Sequence, residues 1–206
     1  MEEIVAAVLG AIPRAGLVEV EVSARHVHLT QADVETLFGP GMTLTPKRPL
    51  SQPGQFLSEE RVSLVGPKGR KDHIAVLGPI RAKTQVELSR SDCMELGVQA
   101  PVRLSGDVEG SGAIAIEGPK GSIQLKQGVM IAHNHIHLTP ETAEVMNLED
   151  HQRVSVEILT DRPLVFRDVI VRVSRKSRNR MHIDFDEANA AQVSGFTLGR
   201  VLRQSL

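Results

Sequence analysis

The sequence has no tryptophan and no tyrosine, only five phenylalanines and a single cysteine in 206 residues. With so few aromatic rings it offers no platform on which successive bases of a single strand could stack. A lone cysteine, Cys93, excludes an internal disulfide and fits a reducing cytosol. Neither charge is in excess: 24 Lys and Arg stand against 25 Asp and Glu, a net charge of −1. A general nucleic-acid or polyanion binder carries a basic excess, so no nucleic-acid partner is expected. No apolar run approaches the roughly 20 residues needed to span a bilayer, so no membrane partner is expected either. The start, MEEIVAAVLGAI, is short and acidic. A secretory signal has a positive start and a longer apolar stretch, so a cytoplasmic protein is expected. Ile4, Val5, Val8, Leu9 and Ile12 recur at helical spacing, which predicts a short helix over 1–14.

Most of the remaining chain reads as short strands punctuated by glycine and proline. VEVEVS (18–23), RVSLVGP (61–67), AIAIEGP (113–119), RVSVEIL (153–159) and VIVRV (169–173) are rich in Val and Ile and bounded by turn residues. GPKG occurs at 66–69 and again at 118–121, and suits a tight turn between strands. Short helices interrupt the strands. Thr30 is placed to cap QADVETLF, with Asp33 in the first turn. Thr139 is placed to cap PETAEVM, with Pro140 at the favoured first position. SRSDCMELG (89–97) and DFDEANAAQV (184–193) are two further helix candidates. The stretch 40–56 is densest in Pro and Gly and reads as an inserted loop or small sheet rather than core. The pattern predicts a mainly β fold of compact barrels with few short helices.

Histidine is scarce, yet four of the eight occur in two copies of one phrase, RHVHLT (25–30) and NHIHLT (134–139). Laid together, His26 pairs with His135, His28 with His137, Leu29 with Leu138, Thr30 with Thr139 and Glu35 with Glu144. A second overlay, resting on pattern rather than identity, sets TQVELSRSDCMEL (84–96) on NRMHIDFDEANAA (179–191) and puts Glu87 opposite His182. Residues i and i+2 of a strand share a face, so His-x-His aims two imidazoles the same way. One such phrase is more often a surface or capping feature; two in matched contexts point to metal. Three N/O ligands with a vacant position form the usual catalytic zinc arrangement. The candidate sets are His26, His28 and Glu87, and His135, His137 and His182. Five imidazoles and one carboxylate suit zinc or another late divalent metal better than magnesium or calcium, and two sets at a pseudo-symmetric interface would form a two-metal site. His133 lacks a counterpart, since Ala24 holds that place in the first copy, and is left out. His73 and His151 lie in polar, turn-like segments and are expected to be solvated. Cys93 overlays Ala188, where a small residue packs, and is not expected to be a nucleophile.

Nearly the whole chain, from about Val18 to Ala191, resembles the PduL-type phosphate propanoyltransferases, the phosphotransacylases associated with bacterial microcompartments. SARHVHLT, LSQPGQF (50–56), VLGPIRAKTQVELS (76–89), PVRLSGD (101–107), HIHLT and DEANA (186–190) carry the likeness. It implies two pseudo-duplicated β-barrels with short capping helices and an active site between them, holding two zinc ions on the six residues above. It implies interleaving: residues 15–24 with 133–202 in one barrel, 25–38 with 60–132 in the other, and 39–59 as an insertion. It further implies a homodimer, conversion of acyl-CoA plus phosphate to acyl phosphate plus CoA, and Arg81 as the phosphate-binding and catalytic arginine. A propanoyl or similar short acyl chain and a role in propanediol degradation would follow. Microcompartment shell or cargo proteins would be partners, and the compartment lumen a location. The second phrase often reads Arg-His-Ile-His in that family; here Asn134 replaces the arginine.

For CoA itself, whose phosphates need polar and basic contacts, the candidates are Ser23, Lys47, Arg48 and Asn189. The expected reaction is direct attack of phosphate on the thioester without a protein nucleophile. Two rivals remain: a two-zinc hydrolase, separable by phosphate-independent turnover, and a non-catalytic barrel module stabilised by closed zinc sites.

Overall fold

A computed structural model describes residues 10–202. Helical residues 10–14 (α1) lead into β1 (Leu17–Val22), β2 (His26–His28), α2 (Gln31–Phe38), β3 (Pro46–Pro49) and β4 (Phe56–Val65). Then come β5 (Arg70–Gly78), β6 (Gln85–Glu87), α3 (Arg90–Leu96), β7 (Val102–Arg103), β8 (Gly112–Glu117) and β9 (Ser122–Ala132). The remainder is β10 (His135–Leu138), α4 (Pro140–Met146), β11 (Arg153–Ile158), β12 (Val165–Val173), β13 (Arg180–Ile183), α5 (Phe185–Ala190) and β14 (Thr197–Leu202). Most of the expected N-terminal helix lies outside the described residues; its described end, 10–14, is helical. No helix among the described residues is long and apolar enough to cross a membrane.

The chain forms two units, one continuous from Ala24 to His133 and one joining the segment up to Ser23 with the segment from Asn134. The discontinuous unit is a closed barrel in the order β1-β13-β10-β12-β11-β14. The continuous unit closes a ring in the order β9-β6-β2-β5-β4-β8. Edge strand β3 pairs with the start of β4, and β7 pairs with the end of β9. The two rings match strand for strand. β1 and β13 run parallel, as do β9 and β6; β10 and β12 run parallel, as do β2 and β5. The other four neighbours in each ring are antiparallel. The fold is thus mainly β, built as two six-stranded barrels. Each His-x-His phrase begins just where the chain passes from one unit to the other.

Period-two alternation builds both cores and leaves the polar face of the same strands for chemistry. In the continuous unit Val27, Leu29, Val86 and Leu88 are buried in the core, while the intervening positions carry His26, His28, Gln85 and Glu87. In the other unit Val18, Val20, Ile136, Leu138, Met181 and Ile183 form the core, and Glu19, Glu21, His135, His137, Arg180 and His182 occupy the alternate positions. Each fully buried Leu or Ile contributes about 1.5–3 kcal/mol. Cys93 is completely buried in the core of the continuous unit, and Ala188 belongs to the core of the other. Both are packing residues, as the overlay predicts.

Four short helices follow four short strands, and each begins on a polar cap. Thr30, Ser89, Thr139 and Asp184 each accept the backbone N–H three residues on, from Asp33, Asp92, Thr142 and Glu187. Losing such a cap costs about 1 kcal/mol. The fourth helix ends at Ala190, shorter than the stretch 184–193 in which the sequence suggests it, with Ala191 as its C-cap.

The GPKG stretches are hairpin turns, β4 to β5 and β8 to β9, and they also cap helix ends. The Lys68 N–H donates to the Leu96 carbonyl at 3.1 Å, and the Lys120 N–H to the Leu37 carbonyl at 3.0 Å. These carbonyls have no partner within their own helix. A Cβ on Gly66 would stand 2.2 Å from the Leu96 oxygen, and one on Gly118 2.4 Å from the Leu37 oxygen. Gly118→Ala should therefore destabilise the protein by about 1–3 kcal/mol, as other overpacking changes do. Denaturant unfolding measures it, and an unchanged midpoint would contradict the close approach.

The Pro-rich segment differs from its expected form. Leu44 is buried and joins the core of the continuous unit, so the stretch is not excluded from the core. β4 runs unbroken from Phe56 to Val65, so the expected boundary at residue 59 falls inside a strand. The alternation weakens at Glu59–Arg61 because β4 changes register against β5 there. β3, with a proline at each end, lies on the sheet edge, where missing N–H donors are tolerated.

Candidate metal centres

In the continuous unit β2 and β6 are antiparallel neighbours, with His26 directly opposite Glu87 and His28 opposite Gln85. His26 Nε2 lies 3.5 Å from Glu87 Oε2. The other ring nitrogen of each histidine meets a backbone carbonyl: His26 Nδ1 at 2.7 Å from Ala24 O, His28 Nδ1 at 3.2 Å from Leu77 O. If Nδ1–H donates in both, both Nε2 lone pairs are left for a ligand, the usual arrangement behind a metal-bound histidine. Burial above all, with His26 and Arg81 adding positive charge, pushes the His28 pKa down to about 3. Burial opposes ionisation of Glu87, but His26 and His28 outweigh it and hold the carboxyl well below its usual range. Burial also works against a charged His26, yet Glu87 prevails and its pKa is raised.

The discontinuous unit repeats the arrangement. β10 and β13 are antiparallel, with His135 opposite His182 and His137 opposite Arg180. His135 Nε2 and His137 Nε2 stand 3.1 Å apart, and the ring centres of His135 and His137 lie 5.2 Å and 5.0 Å from that of His182. Burial first, then His135 and His182, lowers the His137 pKa to about 3. His182 Nε2 is buried without a hydrogen-bond partner among the described residues, although Glu21 Oε2 lies 3.3 Å away.

Each triad fits a metal ion. Within each, one donor atom per residue lies within 4.8 Å of the others. Two ligands of a tetrahedral zinc stand about 3.3 Å apart, given bonds of about 2.0–2.1 Å. The 3.5 Å between His26 and Glu87 and the 3.1 Å between His135 and His137 bracket that value. Neutral rings at His28 and His137 are the ligand form of imidazole.

Five of the six triad residues lie in SARHVHLT, VLGPIRAKTQVELS and HIHLT, stretches that carry the family resemblance. A family model described as phosphate propanoyltransferase matches residues 19–194. The chain belongs to the phosphate propanoyltransferase family. It is similar to the phosphate propanoyltransferase of Clostridioides difficile, 45% identical over 205 residues that cover 100% of this chain and 98% of the relative. The Listeria monocytogenes phosphate propanoyltransferase is 48% identical over 91% of this chain and 88% of its own length. That of Thermotoga maritima is 49% identical over 85% of this chain and 84% of its own length.

The arginine singled out by resemblance to the phosphate propanoyltransferases lies on the β5–β6 connection beside the first triad. Its N–H donates to Leu29 O at 2.9 Å, and Nη1 donates to Ser105 Oγ at 3.2 Å. Its positive charge helps depress the pKa of His28. Gln85 donates to Glu87 and, at 2.9 Å, to Ser105 Oγ, and accepts from the Gly106 N–H at 2.7 Å. Ser105 thus links Arg81, Gln85 and Glu87 through a motif, LSGD, whose role the sequence does not disclose. Glu21 also escapes a sequence reading; only the pairing of β1 with β13 sets it opposite His182.

The four CoA candidates of the sequence reading are spread over both units. Ser23 follows β1 and donates its N–H to Ile183 O at 2.8 Å; Asn189 is exposed on α5. Lys47 and Arg48 are exposed on β3, and Lys47 pairs with Glu59 at 2.9 Å. His133 stands outside both triads. His73 and His151 are exposed, as their surroundings suggest.

Proposed function

We propose that this chain interconverts acyl-CoA plus inorganic phosphate with acyl phosphate plus CoA, using two zinc ions, one held by each triad. The observation carrying the proposal is a duplicated three-ligand site, buried or half-buried in each copy, in a member of a family of acyltransferases, with an arginine beside one copy. His26, His28 and Glu87 would hold one ion; His135, His137 and His182 would hold the other. Bound zinc would supply positive charge for the negative oxygen of the transition state and for the departing thiolate.

The chain's own groups do the rest. Arg81 offers a planar fork to two phosphate oxygens and stays charged at any working pH. Its hydrogen bond to Ser105 keeps the guanidinium oriented. A phosphate oxygen attacks the thioester carbonyl carbon, forming a C–O bond while the carbonyl electrons move to oxygen. Their return breaks the C–S bond and releases CoA as thiolate. No protein nucleophile takes part: Cys93 is sealed in a core and has no access to a thioester. Ser23, Lys47, Arg48 and Asn189 are proposed to contact CoA, and a short acyl chain such as propanoyl is proposed as the group transferred. A homodimer and a microcompartment setting rest on the family likeness.

The test is CoA release from acyl-CoAs of increasing length, with and without phosphate, on protein of measured metal content. Expected are phosphate-dependent turnover, two zinc per chain, loss on chelation and recovery with zinc or cobalt. Cys93→Ala should turn over at the wild-type rate. Hydrolysis that ignores phosphate, or a trapped acyl-enzyme, would overturn the proposed reaction.

A further inference from the structure

Both triads are braced by one repeated contact. His28, Glu87, His137 and His182 each lie two residues before a helix cap, Thr30, Ser89, Thr139 and Asp184. Each barrel therefore contains the strand–ligand–cap–helix unit twice, as a facing pair. Three residues before each of these ligands stand Arg25, Thr84, Asn134 and Asn179. Each of the four crosses to the other helix of its own barrel and meets the residue at that helix's third position. Arg25 Nε reaches Asp92 at 2.8 and 2.9 Å. Thr84 bonds Asp33. Asn134 Nδ2 donates to Glu187 Oε1 at 2.7 Å, and Asn179 Nδ2 to Thr142 Oγ1 at 2.8 Å. Thr84 and Asn179 also accept the N–H of the opposing caps, Thr30 at 3.1 Å and Thr139 at 2.9 Å.

We infer that these four residues are positioning residues for the metal triads, and that Arg25 and Asn134 set how tightly the third ligand is held against the His-x-His strand. The inference rests on the metal reading above. Arg25 tethers the helix whose cap follows Glu87 by two residues; Asn134 tethers the helix whose cap follows His182 by two. A shift at either contact moves the third donor relative to the first two. The two tethers differ in strength. Arg25 to Asp92 is charged on both sides, made to both carboxylate oxygens, and reinforced by Lys71 at 3.1 Å. The Asn134 bond to Glu187 carries charge on the carboxylate side only, so it lacks the attraction between opposite charges and the fork geometry open to an arginine. The three-histidine site is therefore the more compliant of the two. Asn134 does the work of Arg25 with a weaker bond.

Chelator competition on zinc-loaded full-length protein tests this, with each site isolated by removing a ligand of the other. In a His28→Ala background, which leaves the three-histidine site, Asn134→Asp sets a like charge against Glu187. Zinc affinity there should fall about 10- to 100-fold, the usual cost of losing a residue that orients a ligand. Adding Glu187→Gln should restore it, because the glutamine amide donates to the introduced carboxylate while its oxygen still accepts the Asp184 N–H, now taken by Glu187 at 2.9 Å. In a His137→Ala background, which leaves the other site, Asn134→Asp should have no effect and Arg25→Met should weaken zinc by a similar factor. Equal losses at both sites, or no rescue by Glu187→Gln, would assign these residues a general structural role and overturn the inference. Wild-type protein that binds no zinc would instead overturn the metal reading on which it rests. Two tight zinc ions in wild type with an unchanged Asn134→Asp site would overturn the tether alone.

Discussion

His137→Ala protein should carry one zinc per chain where the wild type is expected to carry two, and its phosphate-dependent turnover should fall by at least about 100-fold. The size follows from what is lost: one preorganised source of positive charge at a developing oxyanion is worth about 10²–10³ in rate. His137 supplies an Nε2 that stands 3.1 Å from that of His135, and its ring is held neutral by burial and by its two histidine neighbours. Alanine leaves His135 and His182 as two donors, too few for a site that needs three protein ligands. Ile136 and Leu138, on the core face of the same strand, are untouched, so the barrel should stay folded. The same change at His28 should remove the other ion. Metal analysis beside circular dichroism checks both variants. Two zinc ions retained in folded His137→Ala protein would end the assignment of the triad.

Arg81→Ala should keep both zinc ions and raise the phosphate concentration needed for half-maximal rate, with kcat/KM for phosphate falling about 10²- to 10³-fold. The guanidinium is the cation set beside the first triad, tied to Ser105 and close enough to help depress the His28 pKa. It is not a metal ligand, so the loss should appear in the phosphate dependence and leave the affinity for acyl-CoA little changed. Arg81→Lys should recover only part, because a point charge lacks the two-pronged geometry that meets two phosphate oxygens. Steady-state rates over a phosphate series decide it. An unchanged phosphate dependence would remove Arg81 from the reaction.

The fold and the triads were legible to different degrees, for local reasons. VEVEVS, HVHL and HIHL carry their alternation on the surface of the sequence, and alternation alone says that two histidines share a face opposite a buried pair. Thr30, Ser89, Thr139 and Asp184 announce the four helices, because capping involves only residues three apart. Overlaying the two halves singled out Glu87 and His182, and the structure brings each within reach of its histidine pair. The Pro-rich stretch was harder. Leu44 reaches a core although its neighbours read as loop, and β4 continues through a register shift that blurs its alternation.

The sequence by itself determined the duplication, the shared face of each His-x-His pair, the helix starts and the lone buried cysteine. All of these depend on residues a few positions apart or on repetition of the same phrase. Only the tertiary structure decided the order and direction in which the strands pair to close each barrel, and that Glu21 faces His182. It alone showed that Ser105 links Arg81 to Glu87, that the GPKG turns seal helix ends, and that Arg25, Thr84, Asn134 and Asn179 hold opposing helices. The physical reason is range. Those contacts join residues from about 20 to more than 160 positions apart, as with Arg81 and Ser105 or Glu21 and His182, and strand pairing rather than any local preference sets them.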